Sequence, residues 1–363
     1  MSSVFLHVRQ GFELEARQEL LEKACHLDLT DQAQELRPSG YVSLNCATVP
    51  DESLRRQIRL DSLIFARQLL WAVTAVEIPS SGDRVSPILS AISGDVLEVC
   101  GYNAFSSLVI ETPDNDEAKT LSRFCKSLTV PLENAMNKAK LLPKGKGAAH
   151  LPRVHVIMID AKNVLVAFSD VGNSSPWSMG IPRLKFPNDA PSRSTLKLEE
   201  AFQIFLGRDN LPDFLNRKMT AVDLGACPGG WTYQFVKRGI KTFAVDNGAI
   251  DQALMSSGLV THVTEDAFKF RPETPVDWLV CDVVEQPSKI THLIAEWLVN
   301  KKCKFVIFNL KLPMRRRYEE VQRCLHYLEQ TCAQRGLNLK IYAKQLYHDR
   351  KEVTVFASSA LKS

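Results

Sequence analysis

The chain has no apolar run close to the roughly 20 residues that a membrane-spanning helix needs. Its nine cysteines show no paired C-x-x-C spacing, and its first residues do not resemble a signal peptide. We therefore expect a cytoplasmic protein with reduced thiols, no metal site and no membrane association.

Internal repeats and low-complexity tracts are also missing, which excludes solenoid and repeat architectures. With 363 residues and 45% hydrophobic content, the chain is long enough for two or three domains that each have a core. We expect a monomer, although the sequence alone leaves the oligomeric state open.

Charge is distributed unevenly behind a net value of +4. The first 118 residues are acidic, whereas residues 119–162 carry 9 basic against 2 acidic side chains and residues 181–363 carry 27 against 20. Because positive charge attracts polyanions, we expect a nucleic acid to contact the middle and C-terminal parts. Solvated surface charge would account for the same excess without a partner.

The motif AVDLGACPGGW, residues 221–231, is typical of the strand-loop-helix turn of a nucleotide-type cofactor site. Cys227 replaces the second glycine of the dinucleotide motif G-x-G-x-x-G, where a pyrophosphate needs the closest approach of the backbone. A nicotinamide dinucleotide is therefore disfavoured, and we expect S-adenosylmethionine. An ordinary tight turn is the alternative without function.

Two small units are predicted before the cofactor motif. Strand patterns over residues 4–9, 41–46 and 64–78 alternate with helix patterns over 12–27 and 51–58. They predict a ferredoxin-like α+β subdomain over residues 1–79, which ends at the turn-rich stretch PSSGDR.

Residues 80–180 form the second predicted unit. Helices are expected over 85–92, 117–126 and 130–142, with strands over 107–111, 154–159 and 164–169. Pro131 is expected to begin the last of these helices, and the last two strands to pair antiparallel. The three-proline segment 181–194 predicts an extended linker.

The C-terminal part, residues 195–363, alternates strand and helix patterns. Strands are predicted over 221–224, 242–246, 262–265, 278–282 and 305–310, and helices over 195–207, 231–238, 251–257, 290–301 and 318–335. Two closing strands, 339–345 and 353–357, have only a short link and predict a hairpin. This pattern indicates a doubly wound α/β sheet with at least one antiparallel strand.

Acidic residues follow four of the predicted strands. In an open α/β sheet, ligands bind beyond the carboxyl ends of the strands, where Asp223, Asp246, Asp266 and Asp282 fall. A carboxylate at Asp246 could accept both ribose hydroxyls of an adenosine, and one at Asp266 could bind the adenine amino group. A helix N-cap or a turn is the alternative role of each.

Two lysines and a glutamate are expected near Asp282. Lys311 ends the next strand, Lys197 lies on the helix before the sheet, and Glu352 begins the last strand. One ammonium beside another would lower the lysine pKa, so a lysine here could act as general base on a hydroxyl. Two surface salt bridges are the alternative.

The order of these residues resembles the K-D-K-E ribose 2′-O-methyltransferases. Almost the whole chain is similar to the RlmM family of bacterial 23S ribosomal RNA cytidine 2′-O-ribose methyltransferases, through the stretches GYVSLNC, SLIFARQ, GIPRLKFPNDAPSRSTLKLEEAF, NLKLPMRRRYEEV and QLYHDRKEVTV. The resemblance implies a Rossmann-like S-adenosylmethionine-dependent methyltransferase domain over residues 195–363. It also implies an N-terminal α+β THUMP-type region that binds RNA, over residues 80–180.

The resemblance also implies roles for individual residues. Asp282 would lie beside the methyl group, and Lys311 would be the proton acceptor. From the needs of the reaction, we further expect Lys197 and Asp282 to hold and tune Lys311, and Glu352 to orient either the lysines or the ribose. The cofactor would be contacted by Ser194, Cys227, Pro228, Gly229, Gly230, Asp246, Asp266 and Asp282.

Basic residues around the site are the expected RNA contacts. Guanidinium groups donate bidentate hydrogen bonds to phosphate, and a lysine-glycine loop can follow a nucleic-acid backbone. The expected contacts are Arg183, Lys185, Arg315, Arg316, Arg317, Lys144 and Lys146. Because the ribose must be accessible, we expect 23S ribosomal RNA that is unassembled or only partly processed.

Other functions remain open from the sequence. A base methyltransferase acting on cytosine C5 would need a nucleophile such as Cys281 or Cys227. Methylation of an exocyclic amine usually needs an Asn/Asp-Pro-Pro-aromatic motif, which CDVVEQP lacks. A non-catalytic RNA-binding or chaperone protein would keep the basic surface without the four catalytic residues.

Overall fold

The computed structural model of the chain describes residues 2–27, 29–30, 39–143 and 145–360. The chain divides into two compact units, Met1–Pro182 and Arg183–Ser363. Across these described residues, no helix is long and apolar enough to cross a membrane.

The N-terminal unit contains one six-stranded sheet with the order β2-β1-β3-β6-β5-β4. Its strands are β1 Ser2–Val8, β2 Tyr41–Cys46, β3 Ala66–Glu77, β4 Ser107–Glu111, β5 Arg153–Met158 and β6 Asn163–Ser169. The predicted antiparallel pairing of β5 with β6 is confirmed, and only β4 and β5 are parallel neighbours.

One sheet spans both of the units that the sequence suggests in this half. The long strand β3 pairs antiparallel with β1 on one side and with β6 on the other. Residues before and after the PSSGDR turn therefore share a sheet, because β3 is buried along its first eight residues and needs a neighbour on each side.

The described part of this unit also contains six α-helices. They are α1 Glu13–Lys23, α2 Glu52–Arg55, α3 Val85–Ala91, α4 Leu97–Cys100, α5 Asp116–Lys119 and α6 Ser122–Lys138. The expected break at Pro131 is wrong, because Pro131 lies inside α6. Both Pro131 and Ser127 are exposed, so water can satisfy the Ser127 carbonyl that loses its helical partner.

The C-terminal unit is a seven-stranded α/β sheet with the order β12-β13-β11-β10-β7-β8-β9. Its strands are β7 Thr220–Leu224, β8 Lys241–Val245, β9 Val260–Val263, β10 Val276–Cys281, β11 Cys303–Lys311, β12 Lys340–Lys344 and β13 Glu352–Ser358. The predicted closing hairpin is confirmed, since β13 pairs antiparallel with both β12 and β11. The remaining pairs are parallel.

Six helices complete this unit. They are α7 Thr195–Phe205, α8 Leu211–Phe214, α9 Thr232–Val236, α10 Gln252–Ser256, α11 Pro287–Val299 and α12 Arg317–Ala333. The core centres on Trp278, whose ring lies 5.6 Å from Phe202 of α7 and 4.9 Å from Phe305 of β11. This packing fixes α7 against the sheet that carries the candidate site.

Candidate active site

The glycine loop between β7 and α9 is fixed by its backbone conformation. Gly225 and Gly229 have φ angles of +77° and +115°, in the region that favours glycine. A Cβ at Gly229 would lie 2.5 Å from Cδ1 of Leu254, so a larger residue would have to displace that side chain as well as adopt a strained backbone conformation. The loop therefore presents backbone rather than side chains at this point.

Ser194 lies directly against the loop, next to Gly230. A Cβ at Gly230 would collide with the hydroxyl oxygens of Ser194 and Ser192, which lie 2.6 Å apart. Nε1 of Trp231 donates to the Ser194 carbonyl oxygen over 3.1 Å. The structure thus brings Ser194 to the loop, and its contact with the cofactor stays a prediction.

Asp246 holds the far side of the loop. Its Oδ2 accepts a hydrogen bond of 3.0 Å from the Cys227 amide, and its Oδ1 accepts one of 2.7 Å from the Gly248 amide. Cys227 and Pro228, joined by a cis peptide bond, are exposed. Because each carboxylate oxygen can accept a second hydrogen bond, Asp246 can still bind ligand hydroxyls.

Asp266 takes part in a turn. Its side chain is exposed and its Oδ1 accepts a 2.9 Å hydrogen bond from the Phe268 amide. This is the turn role that the sequence left open, and contact with adenine stays a prediction.

Asp223 differs from the other three strand-end acids, because it is buried. Thr232 donates a 2.7 Å hydrogen bond to its Oδ2. Burial raises the pKa of Asp223 to about 7. The helix that Thr232 begins spans five residues and is shorter than predicted.

The four expected catalytic residues meet at the carboxyl ends of β10 and β11. Lys197 contacts Glu352 and lies 3.4 Å from Oδ2 of Asp282. Lys311 contacts Glu352, and its Nζ lies 2.5 Å from Oδ1 of Asp282. Two ammonium groups therefore share two carboxylates, and all four side chains are mostly buried.

Strand register explains this convergence. Lys311 and Glu352 are directly paired in the β11–β13 ladder, and Asp282 follows Cys281, which pairs with Phe308 in the β10–β11 ladder. Lys197 approaches from α7. Sequence order alone separates these residues, whereas adjacent strand ends bring them within hydrogen-bonding distance.

The expected lowering of the lysine pKa is wrong for Lys311. Burial lowers the pKa of Lys311, but the Asp282 and Glu352 carboxylates outweigh that effect and raise it above its usual value. Repulsion between ammonium groups does not dominate because each carboxylate lies between the two lysines. Lys311 is therefore protonated at neutral pH in this state.

Sequence reasoning missed a buried polar chain behind Asp282. Asn309 donates a 2.9 Å hydrogen bond to Oδ1 of Asp282, and Oγ1 of Thr354 lies 2.7 Å from Oδ1 of Asn309. Oγ1 of Thr354 also lies 2.9 Å from Oδ2 of Asp349. Polar residues within the apolar strand runs FVIFNLK and EVTVFAS were the available signal.

Glu200 is a second missed residue, which holds the segment before Glu352. Its carboxylate accepts hydrogen bonds from the amides of Tyr347 and His348, at 2.8 and 2.9 Å. It also lies 2.6 Å from Nδ1 of His348. The loop between β12 and β13 is thereby tied to α7, the helix that carries Lys197.

The arginines after Lys311 lie at the edge of the site. Arg315 and Arg316 are exposed, and Arg317 begins α12. Arg183 lies 5.9 Å from the ring of Tyr347, and Lys185 is exposed.

The lysine-glycine loop contributes no structural observation on RNA binding. Lys144 lies outside the described residues. Lys146 begins a short 3-10 helix, Lys146–His150, and its side chain also lies outside the described residues. Among the residues that the structure does describe, no group of three or more His, Cys, Asp or Glu side chains could hold a metal ion.

Three family descriptions match consecutive parts of the chain. They are the RlmM ferredoxin-like domain over residues 1–70, ribosomal RNA large subunit methyltransferase M, N-terminal, over residues 83–170, and FtsJ-like methyltransferase over residues 190–322.

Relatives of similar length match nearly the whole chain. The chain is 48% identical over 356 residues to a ribosomal RNA large subunit methyltransferase M from Yersinia pestis (strain Pestoides F), covering 98% of this chain and 95% of that protein. A protein of the same description from Yersinia pseudotuberculosis serotype O:1b matches equally well. TrmN from Thermus thermophilus aligns over 99% of this chain and 100% of its own, at 14% identity and a TM-score of 0.37, which is too low to support an argument.

Proposed function

The chain belongs to the ribosomal RNA large subunit methyltransferase M family of S-adenosylmethionine-dependent enzymes, and from this premise we propose that it methylates the ribose 2′-hydroxyl of a cytidine in 23S ribosomal RNA. The observation that supports this proposal is the meeting of Lys197, Asp282, Lys311 and Glu352 at two adjacent strand ends. A hydroxyl acceptor needs proton removal, and this cluster contains a lysine that can receive a proton.

The glycine loop and the neighbouring strand ends fit the cofactor. Side chains are excluded at Gly229 and Gly230, and the Asp246 carboxylate can accept hydroxyl donors. The residues that would hold the cofactor are Ser194, Cys227, Pro228, Gly229, Gly230, Asp246, Asp266 and Asp282. When bound, S-adenosylmethionine supplies a methyl group that is already electrophilic.

Lys311 has to release its ammonium proton to solvent, to which its side chain is partly exposed, before it can accept the proton of the ribose hydroxyl. Asp282 and Glu352 hold the ammonium in place and fix the position of Nζ. Lys197 pairs with the same two carboxylates and neutralises part of their charge. Lys311 therefore loses its proton more easily than it would if Asp282 and Glu352 paired with Lys311 alone. Positioning of the hydroxyl in line with the methyl group makes the larger contribution, on the order of several kcal/mol.

The acceptor RNA would be bound by the arginines beside the site and by the N-terminal unit. Three residues separate Arg315 from the end of β11, the strand that carries Lys311, and the exposure of Arg315 and Arg316 leaves them accessible to phosphate. The N-terminal unit would act as a THUMP-type RNA-binding module, with a substrate that is unassembled or partly processed.

Base methylation at cytosine C5 is opposed by the state of Cys281. Its side chain is fully buried, and burial raises the pKa of Cys281 to about 12. A buried neutral thiol cannot attack a base, because the thiolate is the nucleophile. Cys227 is exposed but lies in the cofactor loop, with Sγ 3.2 Å from the Ala249 carbonyl oxygen.

The proposal is tested by mapping 2′-O-methyl groups in ribosomal RNA from cells with and without the protein. We expect one cytidine position in 23S ribosomal RNA to lose its 2′-O-methyl group without the protein. The wild-type chain should restore it, and Lys311→Ala should not. An unchanged set of 2′-O-methyl groups, or loss of a base methyl group instead, would refute the proposal.

A further inference from the structure

A buried carboxyl group lies at the end of the polar chain behind Asp282. Asp349, Thr354 and Asn309 are fully buried, on or beside the strands that carry Lys311 and Glu352. The proposed roles of Lys197 and Lys311 do not involve these three residues. Within the described part of the chain, none of the three forms a hydrogen bond with either lysine.

The direction of the hydrogen bonds can be assigned from the catalytic end. Asp282 is ion-paired with Lys311 and Lys197, so its carboxylate oxygens only accept. The Asn309 group at 2.9 Å from it must therefore be the amide nitrogen. This places the amide oxygen of Asn309 toward Thr354, where it needs a donor.

The Thr354 hydroxyl has one hydrogen and two neighbours. That hydrogen goes to Oδ1 of Asn309, at 2.7 Å. An ionised Asp349 would then present a second acceptor to Oγ1 at 2.9 Å, with no hydrogen left between the two oxygens. Two lone pairs at this distance repel, so Asp349 has to supply the hydrogen itself.

The surroundings of Asp349 also favour its neutral form. Its Oδ2 accepts a hydrogen bond of 3.0 Å from the Leu346 amide, whereas its buried Oδ1 has no partner among the residues the structure describes. The Glu352 and Glu200 carboxylates are the like charges that act on it, and Lys197 is the opposing one. Burial and these carboxylates raise the pKa of Asp349 well above its usual value.

We propose that Asp349 is a neutral carboxylic acid that, through Thr354 and Asn309, fixes the orientation of Asp282 and is thereby a positioning residue for methyl transfer. The hydrogen bonds run in one direction, from Asp349 through Thr354 and Asn309 to Asp282. Reversal of any link would leave two donors or two acceptors facing each other. The inference rests on the proposed function, because the orientation of Asp282 affects the reaction only if Asp282 belongs to the site of methyl transfer.

The first test removes only the central hydroxyl. Thr354→Val keeps the branched shape, and we expect kcat to fall about 10-fold to 100-fold, because small misplacement of reacting groups is costly. KM for S-adenosylmethionine should change little, whereas the melting temperature should fall by several degrees, because the buried Asn309 oxygen and Asp349 carboxyl lose their partner. The value of kcat is therefore measured well below the melting temperature of the variant. Thr354→Ser keeps the hydroxyl and should recover most of the lost kcat.

Thr242→Val is the matched control. Thr242 is also buried in a strand of this sheet, but within the described residues its hydroxyl donates to the Ile240 carbonyl oxygen and not to a residue of the site. This variant should keep the wild-type kcat. A Thr354→Val enzyme with unchanged kcat, or one no more impaired than Thr242→Val, would overturn the positioning role.

The second test detects the proton itself and needs no change in activity. Infrared spectra of the ¹³C-aspartate-labelled chain carrying Asp223→Asn should contain, at about pH 7, the carbonyl band of a protonated carboxylic acid. The Asp223→Asn change removes the other buried carboxyl group, whose pKa of about 7 would leave part of it protonated at that pH. Addition of Asp349→Asn should remove the band, and absence of the band from the Asp223→Asn spectrum would overturn the inference.

The two proposals fail in different ways. If Lys311→Ala keeps full methyl transfer, the proposed function itself is wrong. If Lys311→Ala is inactive while Thr354→Val is fully active, or while the infrared band is absent, only the role of Asp349 is wrong.

Discussion

The Lys311 ammonium lies 2.5 Å from Oδ1 of Asp282, across the carboxyl ends of two neighbouring parallel strands. Lys311 is the predicted proton acceptor. Asp282 directly follows β10, which pairs with β7, and β7 leads into the glycine loop. The ion pair fixes the orientation of the Lys311 side chain and keeps it protonated at neutral pH. The orientation bears on the rate of methyl transfer, and the protonation bears on its pH dependence.

Replacement of Lys311 should separate catalysis from cofactor binding. Lys311→Ala should lower the rate of methyl transfer by at least about 10³-fold, because it removes the proton acceptor. Calorimetry should give a Kd for S-adenosylmethionine close to that of the wild type. Lys304→Ala is the control, since Lys304 lies on the same strand but pairs with Asp277 at 2.7 Å, and it should keep full activity. Comparable methylation by Lys311→Ala would sink the assignment.

The pH dependence of kcat/KM should report the protonated state of Lys311. Since its pKa is raised in the free enzyme, log(kcat/KM) should rise with a slope of about 1 through neutral and mildly alkaline pH. Glu352→Gln removes one of the two carboxylates that raise this pKa, so the rising limb should move to lower pH.

The absolute rate of Glu352→Gln should fall as well, because Glu352 also holds Lys197. Glu296→Gln is a suitable control, since Glu296 pairs with Arg271 on the surface and should leave the profile unchanged. A limb that stays in place in Glu352→Gln would contradict the pairing of Glu352 with Lys311.

Asp223 should make the protein less stable as pH rises. Its pKa is about 7 in the folded state against 3.8 for an unperturbed group, so the folded form binds its proton more tightly. Stability from this group is complete below about pH 4 and is lost between about pH 4 and 7. Asp223→Asn should therefore unfold like the wild type at pH 4 and be more stable at pH 8, by up to about 4 kcal/mol.

Urea unfolding across this pH range measures the difference between the two proteins. Asn can still accept the Thr232 hydrogen bond, which limits structural damage in the variant. Exposed Asp209→Asn should show the same pH dependence as the wild type. Parallel stability curves for wild type and Asp223→Asn would rule out a neutral Asp223.

RNA binding should depend on the arginines after the catalytic strand. A double charge reversal, Arg315→Glu with Arg316→Glu, should weaken binding of 23S ribosomal RNA fragments and reduce the slope of log K against log[salt] by about 2. Affinity for S-adenosylmethionine should not change. The control is the double variant Lys218→Glu with Lys241→Glu, which makes the same change in charge. These lysines lie at the amino ends of β7 and β8, opposite the carboxyl ends where the site lies, so this variant should have a much smaller effect. An unchanged slope in the arginine variant would refute the contact.

The doubly wound sheet and the order of the catalytic residues could be predicted from local patterns. The apolar strand runs, each followed by an acidic or basic residue, are enough to place Asp282 and Lys311 at strand ends. The closing hairpin follows from the short link between its strands, and this prediction is confirmed.

Features that depend on non-local distances could not be predicted. The pairing of β3 with β6 joins residues about ninety positions apart, and no local pattern encodes it. The raised pKa of Lys311 depends on its ion pairs with the Asp282 and Glu352 carboxylates. The polarity of the Asp349 chain likewise depends on counting hydrogens between atoms that only the folded chain brings together.

The central claim, that a ribose hydroxyl is the methyl acceptor, is tested most directly with paired RNA substrates. The same 23S ribosomal RNA fragment is prepared with ribose or with 2′-deoxyribose at the cytidine found by mapping. Methyl transfer from S-adenosylmethionine is measured to each, with equal binding verified beforehand. We expect full transfer to the ribose substrate and none to the deoxy substrate. Equal transfer to both would place the methyl group on the base and contradict the account.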